Sequence, residues 1–87
     1  MIWQTNVFYI YILKCSDGKF YTGFSSDLRK RLKEHQGGNV SSTRNRKPLE
    51  LLYYEAYRNK TNALKREKFL KTTKGKQQLR KQINLDP

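Results

Sequence analysis

Five side chains combine the residue types that chemistry on a phosphate group requires. Two tyrosines lie in consecutive strand-like segments, an arginine and a histidine follow at one-turn helical spacing, and a carboxylate comes later: Tyr11, Tyr21, Arg31, His35 and Glu67. Arginine can clamp phosphate oxygens, tyrosine or histidine can transfer a proton, and a carboxylate can bind a divalent cation. If the fold brings these groups together, they can cut a phosphodiester backbone.

The charge of the chain predicts a polyanionic partner. Its 87 residues include 19 Lys plus Arg against 7 Asp plus Glu, which gives a formal net charge of +12. Nucleic acid, an anionic membrane and a purely solubilising surface all agree with this charge. No apolar run reaches the roughly 18 to 20 residues that cross a bilayer, and Met1 to Ile10 lacks the pattern of a signal peptide. We therefore expect one cytoplasmic domain over residues 1–87, with its core at about 7–83, and no membrane partner.

The first half of the sequence predicts a β-hairpin followed by a helix. Phe8 to Lys14 and Lys19 to Phe24 have the aromatic and β-branched composition of strands, and Ser16-Asp17-Gly18 between them is typical of a turn. Ser25-Ser26-Asp27 then offers capping oxygens for a helix that reaches about His35.

The second half predicts one more strand and two helices. Leu49 to Tyr57 has strand composition after Pro48, and Thr61 or Asn62 can cap a helix that reaches about Lys71. Gly75 is expected to interrupt the chain before a third helix over Lys76 to Ile83. The order β-β-α-β-α-α predicts an α+β fold in which helices flank a three-stranded antiparallel sheet.

The helical projections place polar groups on apolar faces. Arg31 and His35 fall on the same side of the first predicted helix as Leu28 and Leu32. Each polar residue alone is more often an edge arginine or a hydrogen-bonded core histidine. Their occurrence together on one apolar stripe favours a functional pair.

Glu67 raises a similar choice. The second predicted helix has an apolar arc made of Ala63, Leu64 and Leu70. Glu67 falls within this arc, and a buried carboxylate needs a cation, which Arg31, a lysine or a metal ion could provide. The spacing equally allows an ordinary ion pair with Arg66 or Lys71.

The turn of the hairpin decides whether the two tyrosines meet. A three-residue loop with Gly18 left-handed pairs Leu13 with Tyr21 and Tyr11 with Gly23, which puts both tyrosines on one face of the sheet. A two-residue Asp17-Gly18 turn would put them on opposite faces. The residues alone allow either loop.

These motifs resemble, in their order, the GIY-YIG nuclease domain family and most closely its small standalone members. The resemblance rests on two triplets, one turn and three downstream residues: Tyr9-Ile10-Tyr11, Tyr21-Thr22-Gly23, Asp17-Gly18, Arg31, His35 and Glu67. It extends over about residues 7 to 71. Each triplet alone is a weak signal, whereas the ordered combination is specific.

The resemblance implies metal-dependent hydrolysis of DNA phosphodiesters and the register with both tyrosines on one face. It implies that the catalytic residues are Tyr11, Tyr21, Arg31 and His35. Gly23 is implied to keep the sheet surface beside them open, and Glu67 to bind one divalent cation, Mg²⁺ or Mn²⁺. The sequence departs from the family pattern at two positions. Tyr9 stands where the family usually has glycine. Many members also carry an asparagine beyond the glutamate, for which the only counterpart here is the distant Asn84, and we do not assign Asn84 to the site.

Binding of nucleic acid is expected from the basic surface. The residues predicted to contact the phosphate backbone are Thr43, Arg44, Arg46, Lys47, Lys65, Lys68 and Lys71. DNA is favoured over RNA, and a partner protein could supply target choice.

Two functions therefore stay open. The first is an endonuclease acting on branched, flapped or damaged DNA, with repair or recombination as the family-level context. The second is a nucleic-acid-binding or accessory protein that retains the fold without turnover. A hydrolase based on Cys15 and His35 is disfavoured, because Cys15 lies at a strand end and not at a helix N-terminus.

Overall fold

Three strands and three helices follow one another in the predicted order. The computed structural model describes residues 6–83. The strands and helices are β1 (Phe8–Lys14), β2 (Phe20–Ser25), α1 (Leu28–Gln36), β3 (Glu50–Tyr57), α2 (Lys60–Leu70) and α3 (Thr73–Gln82). The strands form one antiparallel sheet in the order β2-β1-β3. The predicted fold class is confirmed.

The hairpin adopts the three-residue loop. The amide of Cys15 donates to the carbonyl of Lys19 at 2.9 Å, and the amide of Gly18 donates to the carbonyl of Cys15 at 2.9 Å. Gly18 has a φ of 80°, a conformation that glycine adopts without steric cost. Tyr11 consequently pairs with Gly23 and Leu13 with Tyr21, so both tyrosines share one face of the sheet.

The two faces of the sheet have different coverings. On the first, which we call the core face, Ile10 and Ile12 pack with residues of α2 and α3, namely Ala63, Leu70 and Leu79. On the opposite face, which we call the tyrosine face, Tyr11 and Leu13 pack with Tyr21 and with Leu28 and Leu32 of α1. Burying each large apolar side chain stabilises the fold by about 1.5 to 3 kcal/mol. This packing holds α1 over the tyrosines.

Helix α2 begins earlier than predicted. Its cap is Asn59, whose side-chain oxygen accepts a hydrogen bond from the amide of Asn62 at 2.9 Å. The prediction of Thr61 or Asn62 as the cap is wrong. Several consecutive polar residues could have capped this helix. The packing of Ala63 and Leu70 against the sheet, which the local sequence does not reveal, favours a helix that begins after Asn59.

Helix α3 also begins earlier, and Gly75 does not interrupt it. Thr72 caps the helix, with its hydroxyl accepting a hydrogen bond from the amide of Gly75 at 3.0 Å. A Cβ on Gly75 would overlap the carbonyl oxygen of Phe69, so glycine is needed there for close approach of α3 to the end of α2. Among residues 6–83, no helix is both long and apolar enough to cross a membrane.

Candidate functional site

Tyr11 lies at the centre of the tyrosine face. Its strand is the middle one of the sheet, and the end of its ring lies over Gly23 on β2. A Cβ on Gly23 would overlap the hydroxyl end of this ring. Glycine at position 23 therefore creates the space that Tyr11 fills, and the Tyr11 side chain is completely buried.

A chain of hydrogen bonds runs from Tyr11 through His35 to Thr43. The hydroxyl of Tyr11 lies 2.7 Å from Nε2 of His35, and Nδ1 of His35 lies 2.7 Å from the hydroxyl of Thr43. All three residues have no exposed surface. A neutral imidazole has one donor and one acceptor nitrogen, so one of the two hydroxyls, of Tyr11 and Thr43, donates to the ring and the other accepts from it.

Thr43 therefore lies elsewhere than the sequence led us to expect. It was expected on the surface, where its hydroxyl would reach phosphate oxygens. Instead the turn between α1 and β3 folds inward and buries Thr43 against His35. Thr43 fixes the orientation of the histidine ring.

Burial sets the protonation states of Tyr11 and His35. Burial raises the pKa of Tyr11 to about 12, and the neighbouring Arg31 guanidinium offsets only part of this rise. Burial also lowers the pKa of His35 below its usual value, and the positive charge of Arg31 lowers it further. At neutral pH the structure thus contains an uncharged phenol bonded to an uncharged imidazole.

Arg31 and Tyr21 complete the group around this pair. The Tyr21 ring lies 6.3 Å from the Tyr11 ring and 5.2 Å from the His35 ring, measured between centroids. Nη1 of Arg31 donates to Oε1 of Glu34 at 3.2 Å, and these two side chains are 35% and 37% exposed. Exposed ion pairs of this kind contribute about 0 to 1 kcal/mol, so Arg31 is held only weakly by Glu34.

Glu67 approaches the same group from α2. Its side chain is 19% exposed, and its negative charge adds to the effect of burial in raising the pKa of Tyr11. Oε2 of Glu67 also lies 3.3 Å from Nζ of Lys71, whose side chain is 55% exposed. Glu67 is thus half-buried near Tyr11 and carries the ion pair with Lys71 that the sequence allowed. Leu64, expected inside, is 40% exposed.

The acidic side chain near Tyr11 fits a hard divalent cation that takes few ligands from the protein. Within residues 6–83, no three side chains among His, Cys, Asp and Glu are grouped closely enough to form a metal site. Mg²⁺ typically binds proteins through one or two carboxylates and takes its other ligands from phosphate and water. A lone, half-buried Glu67 fits this pattern, whereas a soft or structural metal would need more ligands.

The predicted binding residues differ in how available they are. Arg44, Lys65 and Lys68 are exposed. Arg46 donates through Nε to Asp17 at 3.0 Å, and Lys47 donates to the carbonyl of Gln36 at 3.2 Å. The structure therefore leaves some of the predicted cations open to a ligand and engages others. Asn84 lies outside the described residues.

A second polar cluster on the core face was missed by sequence reasoning. Glu55 accepts hydrogen bonds from the hydroxyls of Tyr53 at 2.6 Å and Tyr57 at 2.7 Å, and from Arg66 at 2.9 Å. Burial alone would raise the pKa of Glu55, but the bonds from Arg66 and the two tyrosines hold it below its usual value. The alternation Tyr53, Glu55, Tyr57 was the available signal, since residues two apart on a strand share a face.

Comparisons with known proteins agree with this geometry. The GIY-YIG catalytic domain model matches residues 7–82. A UPF0213 protein of Staphylococcus aureus strain Mu50 is 42% identical over 73 residues, which cover 83% of this chain and 89% of the relative. A UPF0213 protein of Staphylococcus saprophyticus is 46% identical over 65 residues, covering 74% of this chain and 79% of the relative. The solution NMR structure of a UPF0213 protein from Bacillus halodurans is 37% identical, covers 84% of this chain and 81% of its own, and has a TM-score of 0.56.

Proposed function

Because the chain belongs to the GIY-YIG catalytic domain family, we propose that it is an endonuclease that hydrolyses DNA phosphodiester bonds with the help of one divalent cation. The observation that carries this proposal is the hydrogen-bonded pair of Tyr11 and His35, with Arg31 and Glu67 as its charged neighbours. These four side chains come from β1, α1 and α2. Their convergence from distant parts of the chain is what a site for phosphate chemistry requires.

Glu67 is the residue that would hold the cation, either Mg²⁺ or Mn²⁺. When bound, the cation supplies positive charge that stabilises the negative charge developing on the phosphate and on the leaving oxygen. Arg31 binds a nonbridging phosphate oxygen and contributes a fixed positive charge from the other side. Lys71 releases Glu67 readily, because the pair they form is largely exposed on the lysine side.

Tyr11 and His35 act together in moving the proton of the attacking water. The phenol is protonated at neutral pH, since burial raises its pKa to about 12. It therefore accepts a proton from water only as it passes its own proton to Nε2 of His35, 2.7 Å away. His35 is neutral and receives this proton, while Thr43 holds the ring in place through Nδ1.

The complete burial of Tyr11 requires a route for the phosphate and water. Arg31 lies next to the phenol and is tethered only by its partly exposed pair with Glu34. A phosphate group competes for this guanidinium and draws it outward, which opens the approach to Tyr11. Tyr21, half-buried against His35, lines that approach.

Metal-dependent nicking of a panel of branched, flapped and damaged DNA substrates tests the proposal. We expect Tyr11→Phe, Arg31→Ala and Glu67→Gln each to lower the nicking rate by about 100-fold or more while DNA binding is largely retained. Tyr57→Phe is the matched control for Tyr11→Phe, because its hydroxyl also donates to a partly buried acceptor, Glu55, but on the core face. Tyr57→Phe should leave the nicking rate within about twofold of wild type.

A nucleic-acid-binding protein without turnover is the second candidate. It is favoured by the complete burial of Tyr11 and His35 and by the pairing of Glu67 with Lys71. Wild-type protein that binds DNA but cuts no substrate with Mg²⁺ or Mn²⁺ at any pH would decide for this function. Equal nicking by wild type and Glu67→Gln would contradict the assigned metal site.

A further inference from the structure

A cleft on the tyrosine face lies next to the candidate site and has no role in the chemistry described above. It has a volume of about 360 Å³ and lies between the sheet and the start of α1. Its walls include two tyrosines of the sheet, two leucines of α1 and an arginine: Tyr9, Tyr54, Leu28, Leu32 and Arg29. The cleft therefore combines aromatic and aliphatic walls with a cation, and Ser26 and Asp27, just before α1, complete its lining.

The two tyrosines of the cleft follow from strand pairing. Tyr11 pairs with Tyr54, and Tyr9 pairs with Ala56, so Tyr9 and Tyr54 are diagonal neighbours on one face. Their ring centroids are 6.1 Å apart in an edge-on arrangement. Tyr54 is 53% exposed, so a large part of an aromatic ring faces solvent at this point. An exposed ring beside a cleft is a surface on which a flat ligand can stack.

The position of the cleft beside Tyr11 and Arg31 indicates which kind of ligand it would take. Tyr54 is the cross-strand partner of Tyr11, and Leu28 and Leu32 flank Arg31 on α1. A DNA strand whose phosphate lay at Arg31, beside Tyr11, would therefore have a neighbouring base within reach of this cleft. Arg29, exposed at the cleft, offers a positive charge to such a strand, while Oδ1 of the neighbouring Asp27 already accepts a hydrogen bond from the amide of Lys30.

We propose that this cleft binds one unpaired nucleobase next to the scissile phosphate, with Tyr54 as the stacking surface. This inference rests on the proposed function, since it assumes that nucleic acid occupies the neighbouring site. Every base has an aromatic face, so stacking on Tyr54 selects for an unpaired base and not for a sequence. A base within a continuous duplex is already stacked and cannot enter the cleft without leaving its helix.

Binding measured without divalent cation tests the inference separately from cleavage. The probes are a fluorescent duplex with one unpaired thymidine, the same duplex with an abasic nucleotide at that place, and the continuous duplex. Wild type should bind the unpaired thymidine about 5- to 150-fold more tightly than the abasic probe, which is the range for one stacked base. Tyr54→Ala should remove this difference, and Tyr54→Phe should keep it because the ring remains.

Controls keep the outcomes distinct. The salt dependence of duplex binding should be equal in wild type and Tyr54→Ala, because the substitution removes no positive charge. Equal affinity of wild type for the thymidine and abasic probes would overturn the inference without any variant. Loss of nicking by wild type on every substrate would instead count against the endonuclease function while leaving the base preference measurable.

Discussion

At the residue scale, the site depends on keeping a histidine neutral inside a strongly cationic protein. His35 is completely buried, and both ring nitrogens have hydroxyl partners, Tyr11 and Thr43. Protonation would place a buried positive charge beside Arg31. Burial and that guanidinium therefore lower the pKa of His35, and the charge of Glu34 offsets only part of this effect. A neutral imidazole is the form that can receive a proton from the phenol.

The same burial makes the stability of the protein depend on pH. Because the pKa of His35 is lower in the folded state than its unfolded value of about 6.5, the unfolded chain binds more protons below that pH. The stabilisation is therefore fully present above about pH 6.5 and is lost as the pH falls through the folded-state pKa. We expect the free energy of unfolding to decrease from pH 7 to pH 5, by at most about 1.4 kcal/mol per pH unit. Urea denaturation at several pH values measures this slope.

His35→Gln serves as the control for the pH effect. His35 is the only histidine of the chain, and the carboxylates whose pKa values are lowered, Asp17 and Glu55, titrate below the chosen range. The variant should be less stable at pH 7 but should show a flatter dependence between pH 7 and pH 5. A wild-type stability that stays constant over this range would mean that the fold does not exclude the charged imidazole.

At the scale of elements, strand pairing fixes the site more than any single helix does. Tyr11 sits between Gly23 on β2 and Tyr54 on β3, so one row across the sheet holds the candidate catalytic phenol, the space for its ring and the exposed aromatic of the cleft. A shift of one residue in the pairing of β1 with β2 would turn Tyr21 to the core face. The three-residue loop that ends with Gly18 prevents this shift.

Gly23→Ala tests the contact between β1 and β2. A methyl group at position 23 overlaps the hydroxyl end of the Tyr11 ring, so the ring must shift, and this disturbs its 2.7 Å hydrogen bond with His35. We expect a loss of stability of about 1 to 3 kcal/mol from overpacking, together with loss of nicking. Thermal denaturation and the nicking rate measure the two effects.

Gly37→Ala is the control, at the residue that follows α1. There a Cβ would lie 3.3 Å from both the side chain of Asn39 and the carbonyl oxygen of Lys33, a tight contact that a small movement relieves, whereas at Gly23 it would overlap the Tyr11 ring. Its nicking rate should stay near that of wild type. If Gly23→Ala nicks DNA as fast as Gly37→Ala does, the position of the Tyr11 ring is not critical for the reaction.

The elements that local chemistry determines could be predicted from the sequence, and those set by distant contacts could not. Strand composition and the Ser16-Asp17-Gly18 turn predicted β1 and β2, because turn residues and alternation are local properties. The start of α3 depends on how closely Gly75 approaches Phe69. The burial of Thr43 depends on a turn folding back onto His35. Neither contact has a signature in nearby residues.

The sequence likewise predicted one part of the candidate site and not the other. The convergence of Tyr11, Tyr21, Arg31 and His35 on one face followed from strand alternation and helical spacing once the hairpin register was known. The ion-pair partner of each charged side chain could not be predicted from these patterns. Arg31 pairs with Glu34, one turn along α1, whereas the helical projection gave the direction of Arg31 and no distance to a partner. A side chain with several possible partners selects one only in the folded protein.

At the scale of the whole molecule, the two faces of the sheet serve different purposes. On the core face, the hydrogen-bond partners of Glu55 are complete, and Gln82 of α3 donates to the hydroxyl of Tyr53 at 2.8 Å. This network ties α3 to the sheet. On the tyrosine face, α1 covers Tyr11 and leaves a cleft beside it. One face thus carries a closed hydrogen-bond network, and the other carries the buried Tyr11 and His35 beside an open cleft.

The net charge of +12 is not equally available over the surface. Arg46 is engaged by Asp17 at 3.0 Å and Arg66 by Glu55 at 2.9 Å, whereas Arg44 is exposed in the same loop as Arg46. Only cations that exchange their counterions for phosphate contribute to binding. We therefore expect the arrangement of ion pairs, and not the total charge, to determine which residues contact DNA in the proposed function.

Two arginines of one loop offer a direct test of this distribution. We expect Arg44→Gln to reduce the slope of log affinity against log salt concentration by about 0.9, the value for one phosphate contact on duplex DNA. Arg46→Gln should change the slope less, because Asp17 already neutralises Arg46 in the free protein. Anisotropy titrations at four salt concentrations measure both slopes, and both variants remove one positive charge, so net charge cannot explain a difference. Equal reductions would mean that DNA takes Arg46 from Asp17, in which case the hairpin turn belongs to the binding surface.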